Sequence, residues 1–392
     1  MVATNLIADG NAALKSGEWG EATRTFRAAA VEADSTEAWW GLGMAGFIGS
    51  DGAAAFEGFE RAYQGYRDAG DQRNAAMAAM FLANSTFDFR GEPAVASGWL
   101  LRAERLLDGL ESGAEHAWLD IWMGNLALMV DNDVARAEEL ASRAASIARQ
   151  VGDLNAEMLA VSLRGLALVS RGDMAGGMAQ LDEAATAAIA GDLDDPNAGF
   201  MTVCNLIEAC SRVFDYERAA QWCSRVRDYC GDRNLAPWYN VCRPNYARVL
   251  VWRGDWAGAE VELNETALAL AELRPPLVAE SLVRLAELRV RQGRLDEAAE
   301  LFRRTETDAL SLPGRAWLAF ELGDVVAAAD LAERFLRSRP AEDRSAAAQI
   351  YEVLVRAALD TGDLERAEAV AYRMSLMAEL IATAPVRAAA SY

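Results

Sequence analysis

The chain of 392 residues carries 59 acidic against 38 basic side chains, a net charge of −21 that repels nucleic-acid phosphates and anionic lipid. Its longest stretch free of charged residues, Asn74 to Phe87, has 14 residues, short of the roughly 18 needed to cross a membrane, so neither direct nucleic-acid contact nor a membrane span is expected. An apolar share of 52% without low-complexity stretches predicts a chain that is ordered throughout.

The N-terminal MVATNLIADGNAALKSG lacks the basic start and apolar block of a secretory signal, which predicts a cytoplasmic protein. One phrase then recurs: a turn residue, often Gly followed by Asp, then an aromatic or aliphatic side chain, then Ala three positions on. Gly17-Glu-Trp-Gly-Glu-Ala22, Asn132-Asp-Val-Ala-Arg-Ala137, Phe214-Asp-Tyr-Glu-Arg-Ala219, Gly254-Asp-Trp-Ala-Gly-Ala259, Gly293-Arg-Leu-Asp-Glu-Ala298 and Gly362-Asp-Leu-Glu-Arg-Ala367 are the fullest copies, with Gly91, Gly172 and Gly323 shorter ones and Ser50 the weakest. The turns fall at 17, 50, 91, 132, 172, 214, 254, 293, 323 and 362, in steps of 33, 41, 41, 40, 42, 40, 39, 30 and 39.

Each copy reads as a helix, a tight turn and a second helix. Gly accepts the left-handed conformation that ends the first helix, Asp caps the second by accepting backbone N–H bonds, and the small Ala lets the two helices approach. Pro196, Pro237 and Pro275-Pro276 open first helices of later units, where a missing N–H costs nothing. A tetratricopeptide unit repeats at about 34 residues, so most units here have helices one to two turns longer. The spacing predicts an all-α, right-handed superhelix of about ten tetratricopeptide-like hairpins, a single array over residues 1–392. Ala384 to Tyr392 reads as the start of a further first helix, which predicts an array truncated at its C-terminal end.

The segments CRPNYARVLVWRGDWAGAEVEL from Cys242, ESLVRLAELRVRQGRLDEAAELF, and LERAEAVA followed by VRAAASY resemble the sensor region of LuxR-type helix-turn-helix regulators from high-GC bacteria; usage of 37 Arg and one Lys fits such a genome. The resemblance covers about the last 150 residues and implies a repeat module that senses a ligand ahead of a DNA-binding domain absent from this chain. Any contact with DNA would then be made by that missing domain, with ligand binding changing the pitch of the superhelix.

In a tetratricopeptide unit the first helix lines the concave face. The position ten residues before each turn gives Ile7, Trp40, Phe81, Trp122, Ser162, Cys204, Pro244, Val283, Pro313 and Glu352. Trp40, Phe81 and Trp122 thus become the leading candidates for holding a small molecule or peptide, because rings stacked along a groove offer apolar area and π-faces. Neighbouring inward positions add Met44, Phe47, Ser85, Asp88, Phe89 and Met129, then a more polar middle with Glu208, Arg212, Arg248 and Trp252. The alternative is that these rings are core, since a slip of one residue would turn each by about 100° into the packing layer. Trp118, Trp238, Trp256 and Trp317 read as packing residues.

Chemical machinery is not expected. The single histidine, His116, reads as a surface or packing residue, and one histidine makes neither a common zinc site nor a relay easy to build. Gly10 to Ser16 has Leu14 where a phosphate-binding loop needs Gly. A chaperone-tail carboxylate clamp, with Lys at the inward position and Asn four residues later, is likewise absent, because the first unit has Ile7 with Asn11 and Lys15. Cys204, Cys210, Cys223, Cys230 and Cys242 lie in one 39-residue window without a C-x-x-C pair. Reduced, buried thiols are the default expectation, with a redox switch the alternative, since Cys223 and Cys230, seven apart, would share a helix face and Cys204 and Cys242 would approach from adjacent first helices. Neither catalysis, metal nor cofactor is expected. The functional expectation is a ligand-sensing or protein-binding module of a transcriptional regulator; the alternative is a stand-alone interaction scaffold or ligand-sequestering protein, recruiting a basic partner to an acidic surface.

Overall fold

The computed structural model describes residues 2–339, 343–348 and 350–391. Hairpin follows hairpin along the chain: α1 (Val2–Lys15) with α2 (Trp19–Ala33), α3 (Thr36–Gly49) with α4 (Gly52–Asp68), α5 (Gln72–Ser85) with α6 (Pro93–Leu107), α7 (Ala114–Met129) with α8 (Val134–Val151), and α9 (Leu154–Arg171) with α10 (Met174–Ala190). The second half continues with α11 (Pro196–Arg212) and α12 (Tyr216–Asp232), α13 (Ala236–Trp252) and α14 (Trp256–Leu273), α15 (Val278–Arg291) and α16 (Leu295–Arg304), and α17 (Leu312–Glu321) and α18 (Val325–Arg337). A four-residue helix, α19 (Arg344–Ala347), precedes the last hairpin of α20 (Tyr351–Asp360) and α21 (Leu364–Ile381), and α22 (Ala384–Ala390) follows.

Turn chemistry explains why the breaks fall where they do. Every turn residue read from the repeat, including the non-glycines Ser50, Asn132 and Phe214, sits in the left-handed region, with φ between 56° and 101°. Asp51, Asp133, Asp173, Asp215, Asp255, Asp324 and Asp363 then each accept a backbone N–H from three residues on, satisfying donors that the helix start leaves unpaired. Glu92 and Arg294 stand at the equivalent place and make no such cap. The repeat's Ala is buried in each full copy: Ala22, Ala137, Ala219, Ala259, Ala298 and Ala367. Pro196 opens α11 and Pro237 lies in the first turn of α13, whereas Pro275-Pro276 form a separate 3-10 turn ahead of α15. Phe214 departs from the small residue that a left-handed turn favours, and its ring is carried on a conformation rare for bulky side chains.

The array winds far enough for its second half to close on its first. Trp19 Nε1–H donates to the Asn234 carbonyl at 2.7 Å, and Trp238 Nε1–H to the Ile48 carbonyl at 2.6 Å. Arg274 donates to the Phe47 carbonyl at 3.0 Å and Ser50 Oγ at 3.2 Å, and pairs with Asp88. Farther along, Arg339 reaches Asn132, and Thr383 Oγ1 donates to the Val213 carbonyl at 2.8 Å. The turns at 17, 50, 132 and 214 therefore abut loops some two hundred residues later. Two glycines feel this twice: a Cβ on Gly17 or Gly172 would need a left-handed φ and would also lie within 2.8 Å of Arg233 O or 2.7 Å of Leu380 Cδ2, respectively.

Packing among neighbouring units, with that closure over Phe47 and Asp88, overturns the expected aromatic groove of the second to fourth units. Phe81 is 4% exposed, stacked on Phe59 at 5.1 Å and edge-on to Trp40 and Phe47 at 5.4 and 5.6 Å. Phe47 is covered by Trp238, whose ring centre lies 5.2 Å away, and Trp40 and Phe89 pack against the same core. Trp122 is buried and stacked on Trp118 at 6.3 Å. Ser85 is fully buried, Asp88 is taken up by Arg274, and Met129 is half exposed near the end of α7. Hydrophobic burial of large rings outweighs leaving them open once a second layer of chain can reach them.

Two cysteines also depart from the default. Cys204 and Cys242 are disulfide-bonded across the first helices α11 and α13, with Cα atoms 6.4 Å apart, while Cys210, Cys223 and Cys230 are free and buried. Among the described residues no helix is long and apolar enough to cross a membrane.

Candidate functional site

The inner face stays open in the second half of the array. A cavity of about 790 Å³ is lined by α13, α15, α17 and α20, together with Met374 and Met377 of α21 and Pro385, Val386 and Ala389 of α22. Of the positions ten residues before the turns of these units, Pro313 and Glu352 line the wall, whereas Pro244 and Val283 are buried outside it.

One side of the cavity is aromatic. Trp252 and Trp256 are 41% and 38% exposed, which is high for indoles, and Trp317 joins them across the wall. Tyr216 lies edge-on to Trp252 at 5.9 Å and to Phe214 at 6.0 Å. The expectation that Trp256 and Trp317 serve only packing is thereby corrected, whereas Trp118 and Trp238 are buried as expected.

Arginines face the rings. Arg248 lies over Phe214 and Tyr216 at 5.8 and 5.9 Å and hydrogen-bonds Ser211 Oγ, and Arg356 lies over Trp317 at 5.4 Å. Such stacking keeps a guanidinium flat against a ring with its edge free to donate. Arg284 is 7% exposed and is held by Glu287 at 3.1 Å and Glu280 at 3.5 Å. Burial opposes its charge, but Glu287, Glu280 and Glu208 together outweigh that and raise its pKa. Burial raises Glu280 above the usual carboxylate value, with Arg284 working against the rise.

Behind the wall lies a polar layer that the repeat register picked out. Glu208 accepts from Arg212 at 2.8 Å; burial opposes the Glu208 charge, yet Arg212 wins and its pKa falls. Arg212 also donates to Ser170 Oγ at 3.1 Å and lies 3.7 Å from Asp343, just ahead of α19. Of the sequence candidates, then, Arg248 and Trp252 line the cavity, Glu208 and Arg212 sit one layer behind it, and Trp40, Phe47, Phe81, Ser85, Asp88, Phe89, Trp122 and Met129 belong elsewhere. Arg284, Glu287, Trp317 and Arg356 were missed. The signal for three of them was present, since Glu287, Trp317 and Arg356 stand six residues before their turns, as Arg248 does, but that position was not followed past the unit of Arg248 and Trp317 was read as packing.

Among the described residues no cluster of His, Cys, Asp and Glu could hold a metal ion. What the site can do is bind: rings for apolar groups and guanidinium edges for acceptors.

Comparison with known proteins agrees with the repeat. The tetratricopeptide repeat model matches residues 7–74 and 247–310. In solved structures the chain is similar to a Rap protein complexed with competence and sporulation factor, with a TM-score of 0.62, 12% identity, and coverage of 97% of this chain and 98% of that one. It is also similar to the Rap conjugation gene regulator of plasmid pLS20 in complex with the Phr* peptide, with a TM-score of 0.51, 11% identity, and coverage of 81% and 94%. No curated protein matches in sequence. The chain is an all-helical solenoid of tetratricopeptide repeats.

Proposed function

We propose that this chain is the ligand-sensing repeat module of a bacterial transcriptional regulator, acting in the cytoplasm as one repeat array, and that its ligand is a short peptide held in the cavity between α13 and α22. The observation that carries this reading is the cavity itself: about 790 Å³, lined by exposed indoles and by charged side chains side by side, and within the roughly 300–1,000 Å³ of ligand sites. Half-exposed indoles beside arginines suit the alternating apolar and polar groups of a peptide. Two Rap structures of like fold were solved with a factor or a peptide bound, which supports a peptide over a flat small molecule. The LuxR-type resemblance of the last third supports the regulatory setting. In this reading the module is a binder without catalysis of its own, and any DNA is met by another domain.

Because α22 lines the cavity and the α21–α22 junction is bonded to Val213, occupancy would be felt at the seam between the two halves of the array. A titration of the chain with pooled random hexapeptides, followed by tryptophan emission, tests the reading. Saturable quenching that is lost in Trp252→Ala is the expected result, and a flat response up to millimolar peptide would sink it. The acidic excess of 59 to 38 favours a second reading, a scaffold for a basic protein. Its affinity would fall steeply with salt and be indifferent to Trp252.

A further inference from the structure

We infer that the cavity recognises its ligand through a carboxylate, seated between the guanidinium groups of Arg248 and Arg284. This rests on the peptide reading above and deepens it by naming the anchoring group.

Local charge is the first observation. In a chain with 59 acidic and 38 basic residues, the lining reverses the balance, with Arg248, Arg284, Arg291 and Arg356 against Glu287, Glu321 and Glu352. Arg248 is held only by the neutral hydroxyls of Ser211 and Tyr216, and no carboxylate among the described residues pairs with it. Glu208 and Glu280 act on it only at longer range, and a cation in a recess attracts an anion more strongly than one on the open surface.

The second observation is an unpaired donor. Arg284 is more than nine-tenths buried and its two terminal nitrogens are taken by Glu287 and Glu280, but its Nε–H, buried at the cavity wall, has no acceptor in the structure. Guanidinium forks meet carboxylates in a two-oxygen geometry. One carboxylate oxygen could satisfy Nε–H of Arg284 while the other meets Arg248. The two arginines share one neighbourhood, since both line the same cavity, Arg248 from α13 and Arg284 from α15. Trp252 and Trp256 would then take the apolar group next to that carboxylate.

The carboxylate could be a peptide C-terminus or an Asp or Glu side chain, and the test separates these sources. A randomised hexapeptide library is made in free-acid and C-terminal amide forms, and the tightest binders are resynthesised with each carboxylate replaced by its amide. Binding to the full chain is followed by tryptophan emission. Replacing the anchoring carboxylate is expected to weaken binding roughly 10- to 100-fold; the position at which this occurs tells whether the C-terminus or a side chain is held. Arg248→Gln, on a part-exposed position that tolerates the change, is expected to weaken the acid by the same factor and to bind acid and amide alike. Arg284→Lys keeps the charge but removes Nε, and is expected to lose part of that discrimination. Fully amidated, acid-free peptides that bind within twofold of their acids would overturn the carboxylate anchor and leave the peptide reading standing. If no peptide of either form saturates the chain, the functional reading itself falls.

Discussion

The indole Nε1–H of Trp238 donates to the main-chain carbonyl of Ile48 across 190 residues of sequence, at 2.6 Å and out of water. This one bond, with the ring edge-on to Phe47 and Phe200 at 5.2 and 5.1 Å, pins the second half of the array to the first. Trp238→Phe keeps most of the apolar area and strands the Ile48 carbonyl, so it should lower stability by about 1–3 kcal/mol. Trp238→Ala opens a cavity besides and should cost about 3–5 kcal/mol. Urea unfolding followed by circular dichroism measures both. Equal losses in the two variants would mean that the hydrogen bond, and not the packing, closes the seam.

Arg274 is the most buried cation, 1% exposed, over Trp238 at 4.4 Å and Phe89 at 4.8 Å. Burial lowers its pKa while Asp88 opposes the change. Removing only the partner leaves a buried charge unpaired, and Asp88→Ala should destabilise by about 3–5 kcal/mol. The double variant Asp88→Leu with Arg274→Met replaces both charges with apolar groups and should recover most of that loss. A double-mutant cycle by urea unfolding reads the coupling, and additive losses would show that the two side chains stabilise the seam independently.

These seam contacts explain which parts of the molecule were legible in the sequence. Hairpin turns are local: left-handed residues at fixed steps and capping Asp side chains are decided within a few positions, so the repeat could be read directly. The inward register was also local, and at Pro313 and Glu352 it leads to the cavity. Whether an inward ring meets solvent or another ring depends on superhelix pitch, which sums small rotations over many hairpins and leaves no periodic trace. Phe81, which the register reads as a groove residue, is therefore buried, and Trp317, which reads as packing, reaches the cavity. Nothing near Trp238 announces Ile48.

Close helix approach gives a paired prediction. A Cβ on Gly58 of α4 would overlap the main chain of Gly43 in α3, which has no freedom to retreat. Gly58→Ala should destabilise by about 1–3 kcal/mol. Gly98, inside α6, is exposed and has open space where its Cβ would be, so Gly98→Ala should stabilise by about 0.5–1 kcal/mol through helix propensity. Thermal melts of the two variants should move in opposite directions, and a shared direction would contradict the packing seen between α3 and α4.

Thiol chemistry should report the oxidation state of the inner wall. Burial pushes the Cys223 and Cys230 thiols up to about 12, and Cys210 further still. At pH 8 only about one in ten thousand of such thiols is ionised, and the thiolate is the nucleophile. Iodoacetamide should therefore leave the folded, oxidised chain unmodified, and raising the pH toward 12 should speed labelling as the thiolates form. Cys204 and Cys242 should label only after reduction, with the part-exposed Cys204 first. The bond spans a separation of 38 residues, for which chain entropy gives about 4 kcal/mol. Cys204→Ser with Cys242→Ser, or reduction alone, should lower stability by about that amount in urea titrations. Intact mass follows the labelling. Rapid native labelling of Cys223 or Cys230 would contradict their burial, and an unchanged urea midpoint after reduction would mean that the packing of α11 against α13 already holds the two helices together.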